Sequence, residues 1–120
     1  MWPLVISNQI KLGGQYKYNG QWQSFHADSR PLPKGCDLLF HADTDVPGPF
    51  SVYWQVVNTG DEARGVSQLR GQILPAKTAG IGGLTQKEAT AYRGMHWIEC
   101  FIVKDGRCVA RSGEFVVNIQ

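Results

Sequence analysis

The sequence predicts an all-β fold, an immunoglobulin-like β-sandwich of about seven strands. Three observations predict it. Phe50–Gly60 (FSVYWQVVNTG) is an apolar run with a tryptophan at its centre and a turn at its end. His96–Val103 (HWIECFIV) is a second such run, followed by an Asp-Gly turn and a returning apolar stretch. No segment sustains the period of an amphipathic helix over a useful length.

Within the central run, Val52, Trp54 and Val56 recur every second residue and point to one side of a strand, with Tyr53, Gln55 and Val57 on the other. Trp54 is therefore the expected core anchor. Pro47 and Pro49 prevent a helix from running in, and Asn58-Thr59-Gly60 supplies residues that tolerate turn geometry.

Length and composition set limits on function. One domain spanning residues 1–120 is expected, with 1–32 read either as part of it or as a linker or N-terminal extension. A formal charge of +2 with 18% charged residues gives no general field for nucleic acid or an anionic membrane, so any anion must be held locally. No apolar stretch reaches the length of a membrane span, and MWPLVISNQ lacks the basic and apolar regions of a signal peptide. Cys36, Cys100 and Cys108 are odd in number and show no metal spacing, which suits free, buried thiols in a reducing, cytoplasmic setting. No metal site and no cofactor are expected.

In chain order, Leu4-Val5-Ile6 suggests a short strand. The stretch Gly13–Ser24 (GGQYKYNGQWQS) suggests a loop or hairpin packed on the domain. Its Tyr16, Tyr18 and Trp22 offer a stacking platform for bases or sugars, although aromatic cover for an open end of the core is the favoured reading. Arg30–Gly35 breaks the chain before a strand at Cys36–Ala42, expected as a neighbour of the Trp54 strand. Leu69–Leu74 suggests a short strand stopped by Pro75, and Ala79–Gly83 a connecting loop without the strand, helix or lysine-serine pair of a phosphate loop. In the last hairpin, a two-residue Asp105-Gly106 loop sets Val103 opposite Cys108, Phe101 opposite Ala110 and Cys100 opposite Arg111. Ser112-Gly113 is expected to form a bulge that re-registers Phe115–Ile119. Tyr92 stands where a tyrosine corner would lie.

The polar residues favour binding over catalysis. His96 and Glu99 are three apart, so a strand sends them to opposite faces, and no nucleophile motif accompanies them. His26, His41 and His96 are scattered without a zinc pattern. Arg70, Arg93 and Arg111 each precede a small residue, an arrangement in which a guanidinium can hold phosphate while the ligand approaches the backbone.

The succession Trp54–Gly60 with Glu62-Ala63, then Leu69-Arg70-Gly71, Glu88–Cys100 and Cys108–Ser112 resembles the adenylyl/guanylyl and SMODS C-terminal sensor domain. The resemblance runs over residues 33–119 and rests on its WxVxNxG and YxGxHxxE elements in that order. It implies a non-catalytic sensor of bacterial anti-phage, CBASS-type systems. Such a domain would bind a nucleotide, cyclic oligonucleotide or nucleic acid and control a fused or adjacent nucleotidyltransferase or effector, without membrane contact. By position, the motif residues are Trp54, Asn58, Arg70, Gly71, Tyr92, Gly94, His96 and Glu99. Joined to the residue reading, this gives Trp54, Asn58, Gly60, Gly71 and Gly94 as structural positions. Arg70, Tyr92, Arg93, His96, Glu99 and Arg111 become the ligand contacts: arginine for phosphate, Tyr92 or Trp97 for stacking, Glu99 or Asn58 for a base edge. Two rivals use the same fold: a carbohydrate- or protein-binding module built on the exposed aromatics, and a docking domain whose hairpin edge forms a homodimer.

Overall fold

The computed structural model describes residues 2–59, 72–77, 80–91 and 93–120. Among them are nine strands: β1 (Ile10–Tyr18), β2 (Gln21–Phe25), β3 (Asp37–Thr44), β4 (Ser51–Asn58), β5 (Ile73–Pro75), β6 (Thr85–Ala89), β7 (Gly94–Lys104), β8 (Arg107–Arg111) and β9 (Phe115–Ile119). A single 3-10 turn, Gly80–Leu84, precedes β6. They form two antiparallel sheets, one ordered β2-β1-β3-β6 and the other β5-β4-β7 followed by β8 and β9 side by side along β7. With β1, β3 and β6 in the places of strands A, B and E, and β5, β4, β7 and β8/β9 in those of C′, C, F and G, the order is that of an immunoglobulin-like sandwich.

Alternation on β4 turns Val52, Trp54 and Val56 into the core, as the sequence predicts, and Trp54 is 3% exposed. Its indole N–H donates to the Gly83 carbonyl at 2.8 Å, so the glycine-rich turn closes the core beneath the ring. Leu38, Phe40 and Ala42 of β3 face Trp54's sheet from across the sandwich. β3 is thus not an in-sheet neighbour of β4, because period-two alternation specifies a buried face without specifying a hydrogen-bonded partner.

The Gly13–Ser24 stretch is a hairpin. Asn19 and Gly20 both have positive φ, 51° and 78°, the backbone of a two-residue turn matched to strand twist. Its register pairs Tyr16 with Gln23 and Lys17 with Trp22. Tyr16 and Tyr18 therefore share the inner face, while Trp22 lies on the outer face with Lys17 Nζ 6.0 Å from its ring. The three rings form no common platform. Tyr16 packs edge-on against Phe25, and Phe25, Phe40 and Phe115 form a mutually edge-to-face cluster with centroids 5.6–6.1 Å apart.

The strand count exceeds the sequence expectation for two reasons. β6 (TQKEA) carries no apolar alternation because it is an edge strand, and the return strand of the last hairpin is interrupted into β8 and β9. Its turn, Asp105-Gly106, has φ values of 53° and 74°. Val103 pairs with Cys108 as expected, but Ile102 pairs with Ala110 and Phe101 with Arg111. One step on β7 thus spans two on β8, and Val109 is the extra residue. Three steps from Phe101 to Ile98 then match four from Arg111 to Phe115, which is the further bulge at Ser112-Gly113 that the sequence predicts.

The outer edge of β8/β9 is covered by the chain itself. Cys108 N–H donates to Pro3 O, Val5 N–H to Cys108 O and Ser7 N–H to Val109 O, so residues 3–7 run parallel to β8. Further on, Asp28 N–H donates to Val116 O, Leu32 N–H to Asn118 O and Gln120 N–H to Leu32 O. Leu4, Val5 and Ile6 make this contact through the backbone and leave their side chains exposed. Trp2 lies on the outer face of the five-stranded sheet, 4.5 Å from the Tyr53 ring.

All three cysteines are free and buried. Burial pushes the Cys100 thiol up to about 12, with the Glu99 carboxylate and Cys108 adding to the shift. Burial likewise raises Cys108. A native thiol that holds its proton more tightly than the unfolded chain stabilises fully below the ordinary thiol range of about 8.5, and that contribution is lost as the pH rises towards the native value. The urea midpoint is therefore expected to fall from about pH 8.5 upwards, and to fall less steeply in Cys100→Ala; parallel slopes would refute the assignment. Gly14 supplies a second test. A Cβ there would meet Phe25 Cε1 and Cζ at 2.8 Å and Phe115 Cζ at 3.2 Å, so Gly14→Ala should cost about 1–3 kcal/mol in denaturant unfolding by overpacking the aromatic cluster.

Candidate functional site

The register of β4 on β7 runs from Ser51 opposite Val103 to Asn58 opposite His96. The last pair is where the two halves of the sequence motif meet. Asn58 ends the tryptophan strand, His96 stands near the start of β7, and both line a cavity of about 220 Å³ between the sheets at that end of the sandwich. Leu38 and Phe40 of β3, Val56, Ile98, Val117 and Ile119 give it apolar walls, and Glu88, Ala89 and Ala91 close the side belonging to β6. Among the described residues, its polar side chains include Asn58, His96 and Glu88.

His96 is 5% exposed. Its Nδ1 accepts the Thr59 backbone N–H at 3.0 Å, and the Thr59 hydroxyl donates to the Met95 carbonyl. An acceptor at Nδ1 fixes the neutral tautomer with its proton on Nε2. The chain leaving β4 is thereby tied to the cavity histidine. On the other sheet, Glu88 pairs with Leu38, whose side chain is buried, so the Glu88 carboxylate also turns inward. Gln86 Nε2 donates to Glu88 Oε2 at 2.8 Å and helps to orient it.

The Ala89–Ala91 wall is held by Thr90, which is fully buried. Its hydroxyl accepts the Cys36 N–H at 2.6 Å and lies 2.9 Å from the Pro33 carbonyl, to which it donates. Backbone bonds from Thr90 N to Cys36 O and from Gly35 N to Thr90 O complete the tie. Arg93 follows this wall and is exposed, and Gly94 opens β7 with φ 125°, a backbone that favours glycine.

Glu99 and Arg111 form a separate arrangement on the outer face of the same sheet. The extra residue Val109 moves Arg111 from the Cys100 side, where an unbulged hairpin would put it, to the side of Phe101 and Glu99. Arg111 Nε donates to Glu99 Oε2 at 2.8 Å and Nη2 to Oε1 at 3.0 Å, while the Gly113 N–H also donates to Oε2 at 3.0 Å. The guanidinium lies 5.2 Å over the Phe101 ring. Hydrogen bonding to Glu99 raises the Arg111 pKa. Glu99 is 1% exposed, so its charge is held by this fork rather than by water.

Of the residues that the sequence nominates, the structure therefore brings His96 and Asn58 together and sets Glu99 with Arg111 apart from them. Trp54 lies in the core. Trp97 reaches the cavity rim, but strand alternation directs its side chain to the outer face with Glu99. Arg70, Tyr92, Gly60 and Gly71 lie outside the described residues. Glu88 lines the cavity but is not among the nominated residues, although it begins the Glu88–Cys100 run; its inward alternation with Gln86 on a polar strand is the available signal. Among the described residues, no group of three His, Cys, Asp or Glu side chains could hold a metal ion, and no helix is long and apolar enough to cross a membrane.

Fold and cavity together define a small immunoglobulin-like sandwich with a cleft at one end whose walls are mainly apolar. The family model of the Adenylyl/Guanylyl and SMODS C-terminal sensor domain matches residues 1–120, and the chain belongs to that family. The match takes in the first 32 residues, which lie outside the sequence motifs. A comparison with curated proteins gives no match. By its family the chain is a C-terminal sensor domain.

Removing the guanidinium would leave the Glu99 carboxylate buried with one backbone partner. Because water reaches Arg111, whose side chain is 43% exposed, the loss should fall below that of a fully buried pair. Arg111→Ala is expected to destabilise by about 2–4 kcal/mol in denaturant unfolding, with Glu99→Gln in the same chain recovering part of the loss; additive effects would show that the two side chains act independently.

Proposed function

We propose that this domain is the non-catalytic sensor of a bacterial anti-phage, CBASS-type nucleotide system in the cytoplasm, and that its ligand is a nucleotide whose base enters the end cavity. The observation that carries this reading is the direct pairing of Asn58 with His96 at an apolar cleft, where two separate sequence motifs converge. Sensor-domain membership of the family supports it.

The cavity is smaller than the roughly 300–1,000 Å³ of most ligand pockets, which suits one inserted ring rather than a whole nucleotide. Its charged side chain, among the described residues, is the Glu88 carboxylate, so phosphate belongs at the rim, on the side of Arg93. Thr59 links the cavity histidine to the connection after β4, and this is the route by which an occupied site would signal to a fused or adjacent synthase or effector. Glu99 and Arg111 serve this reading by stiffening β7 beneath the site.

Thermal unfolding against cyclic di- and trinucleotides, linear nucleotides, short RNA and simple sugars tests it. A ligand at about 100 times its dissociation constant should stabilise by about 2.7 kcal/mol, a rise of several degrees in midpoint. Added salt should erode the shift if arginine holds phosphate, and His96→Ala should abolish it. No shift with any nucleotide, or a full shift in His96→Ala, would reject the reading.

A further inference from the structure

β2 stops short of its neighbour. β3 pairs with β1 from Ile10 to Lys17, but β2 joins it only from Gly14, opposite Phe25, to Tyr18. Beyond Phe25 the chain turns out of the sheet: Asp28 takes φ 55°, and its N–H donates to Val116 O on the other sheet. Among the described residues, the Ile10–Gly13 stretch of β1 therefore has no strand and no backbone hydrogen bond on the side away from β3. A groove of about 890 Å³ lies along this edge, bordered by His26, Ala27 and the Ser112–Phe115 connection. Such an edge offers backbone donors and acceptors to an extended chain.

Side chains along the edge differ by position. Ile10 and Leu12 face the core, Leu12 only partly covered, while Lys11 and Gly13 face outward. A Cβ at Gly13 would meet nothing within 4 Å, and here the groove reaches across to Leu39 and His41 of β3. Asp43, opposite Lys11, is drawn towards His41 at 3.6 Å, so the Lys11 ammonium is placed to attract an anion from the open side. Glu114 also lines the groove, which confines the demand for acid to the place beside Lys11.

We infer that this edge takes an extended segment of a partner protein as an added strand, antiparallel to β1 and continuing the line of β2. In that register the guest residues opposite Gly13, Leu12, Lys11 and Ile10 point outward, inward, outward and inward. The first is aromatic and lies over Gly13 against Leu39 and His41. The second is aliphatic and covers Leu12, the third is acidic and meets Lys11, and the fourth is aliphatic beside Ile10. Main-chain bonds supply the affinity and the alternate side chains supply the choice. The groove shares no lining residue with the end cavity, so the proposal is independent of the nucleotide reading.

The probe is a capped octapeptide, Lys-Thr-Tyr-Val-Glu-Val-Thr-Lys, titrated calorimetrically into the whole chain while amide hydrogen exchange is followed by NMR. Binding is expected to slow exchange within Ile10–Gly13. Replacing the peptide's Glu by Lys should weaken it about fivefold, a preference that Lys11→Glu reverses. Gly13→Val, for which there is open space, should fold normally and weaken the peptide by taking the place of its aromatic ring. N-methylation of the peptide separates a strand ladder from a surface contact without altering the protein. Methyl groups on one alternate set of its amides point at β1 and should abolish binding, whereas those on the other set point away and should leave it. Equal effects of the two sets, or no binding at millimolar peptide, overturn the proposal, as does undiminished binding in both Lys11→Glu and Gly13→Val. A chain that dimerises with exchange slowed at Ile10–Gly13 overturns the peptide partner in favour of a second copy.

Discussion

The antiparallel register of β4 on β7 is the constraint on which the rest depends. Side chains alternate along each strand, so a slip of one residue would send Trp54 outward and bring Tyr53 into the core. The same register sets Val52 opposite Ile102 and Trp54 opposite Cys100, and it leaves Asn58 and His96 as the final pair at the open end. Trp54 locks it from a third direction, because its indole N–H has one partner at the Gly83 carbonyl and reaches it only from the inward face. Core and cavity are consequences of a single alignment.

The other edge of β7 obeys the opposite rule. There, two extra residues are admitted, and each changes what the sheet presents. Val109 lets Ala110 fill the core beside Ile102 while Arg111 turns outward to Glu99. Ser112-Gly113 frees a backbone N–H for the same carboxylate and an Oγ for the Cys100 N–H, 2.9 Å away. A bulge so placed spares Glu99 from standing buried without partners, which would cost more than the pair itself contributes.

Legibility in the sequence follows the strength of local patterning. β4 and the β7–β8 turn were readable because Val52-x-Trp54-x-Val56 alternates cleanly and Asp105-Gly106 demands a tight loop. β3 was readable as a strand and not as a member of the opposite sheet, since alternation carries no partner identity. β6 was invisible: a polar edge strand buries too little to need apolar residues. Asn19-Gly20 did carry a hairpin signal, masked by the glycines and aromatics around it. At the site, His96 and Asn58 were legible as motif residues, but their meeting required pairing across 38 positions of chain. An unbulged hairpin puts Arg111 on the face of Cys100, because a bulge arises from tertiary pairing that local sequence does not carry, and Glu88 reaches the cavity only through the β3–β6 register.

The cover over β8 and β9 bears on the order of assembly. Residues 3–7 and 28–32 find their hydrogen-bond partners among residues 108–109 and 116–120, nearly the full chain away. As the polypeptide emerges from the ribosome, its opening segments have no edge to join until the closing hairpin exists. Contacts so distant in sequence slow the search for the native state. The sandwich is thus closed by segments made well before the strands they cover, and until those strands exist Leu4, Val5 and Ile6 form an unpaired apolar strip.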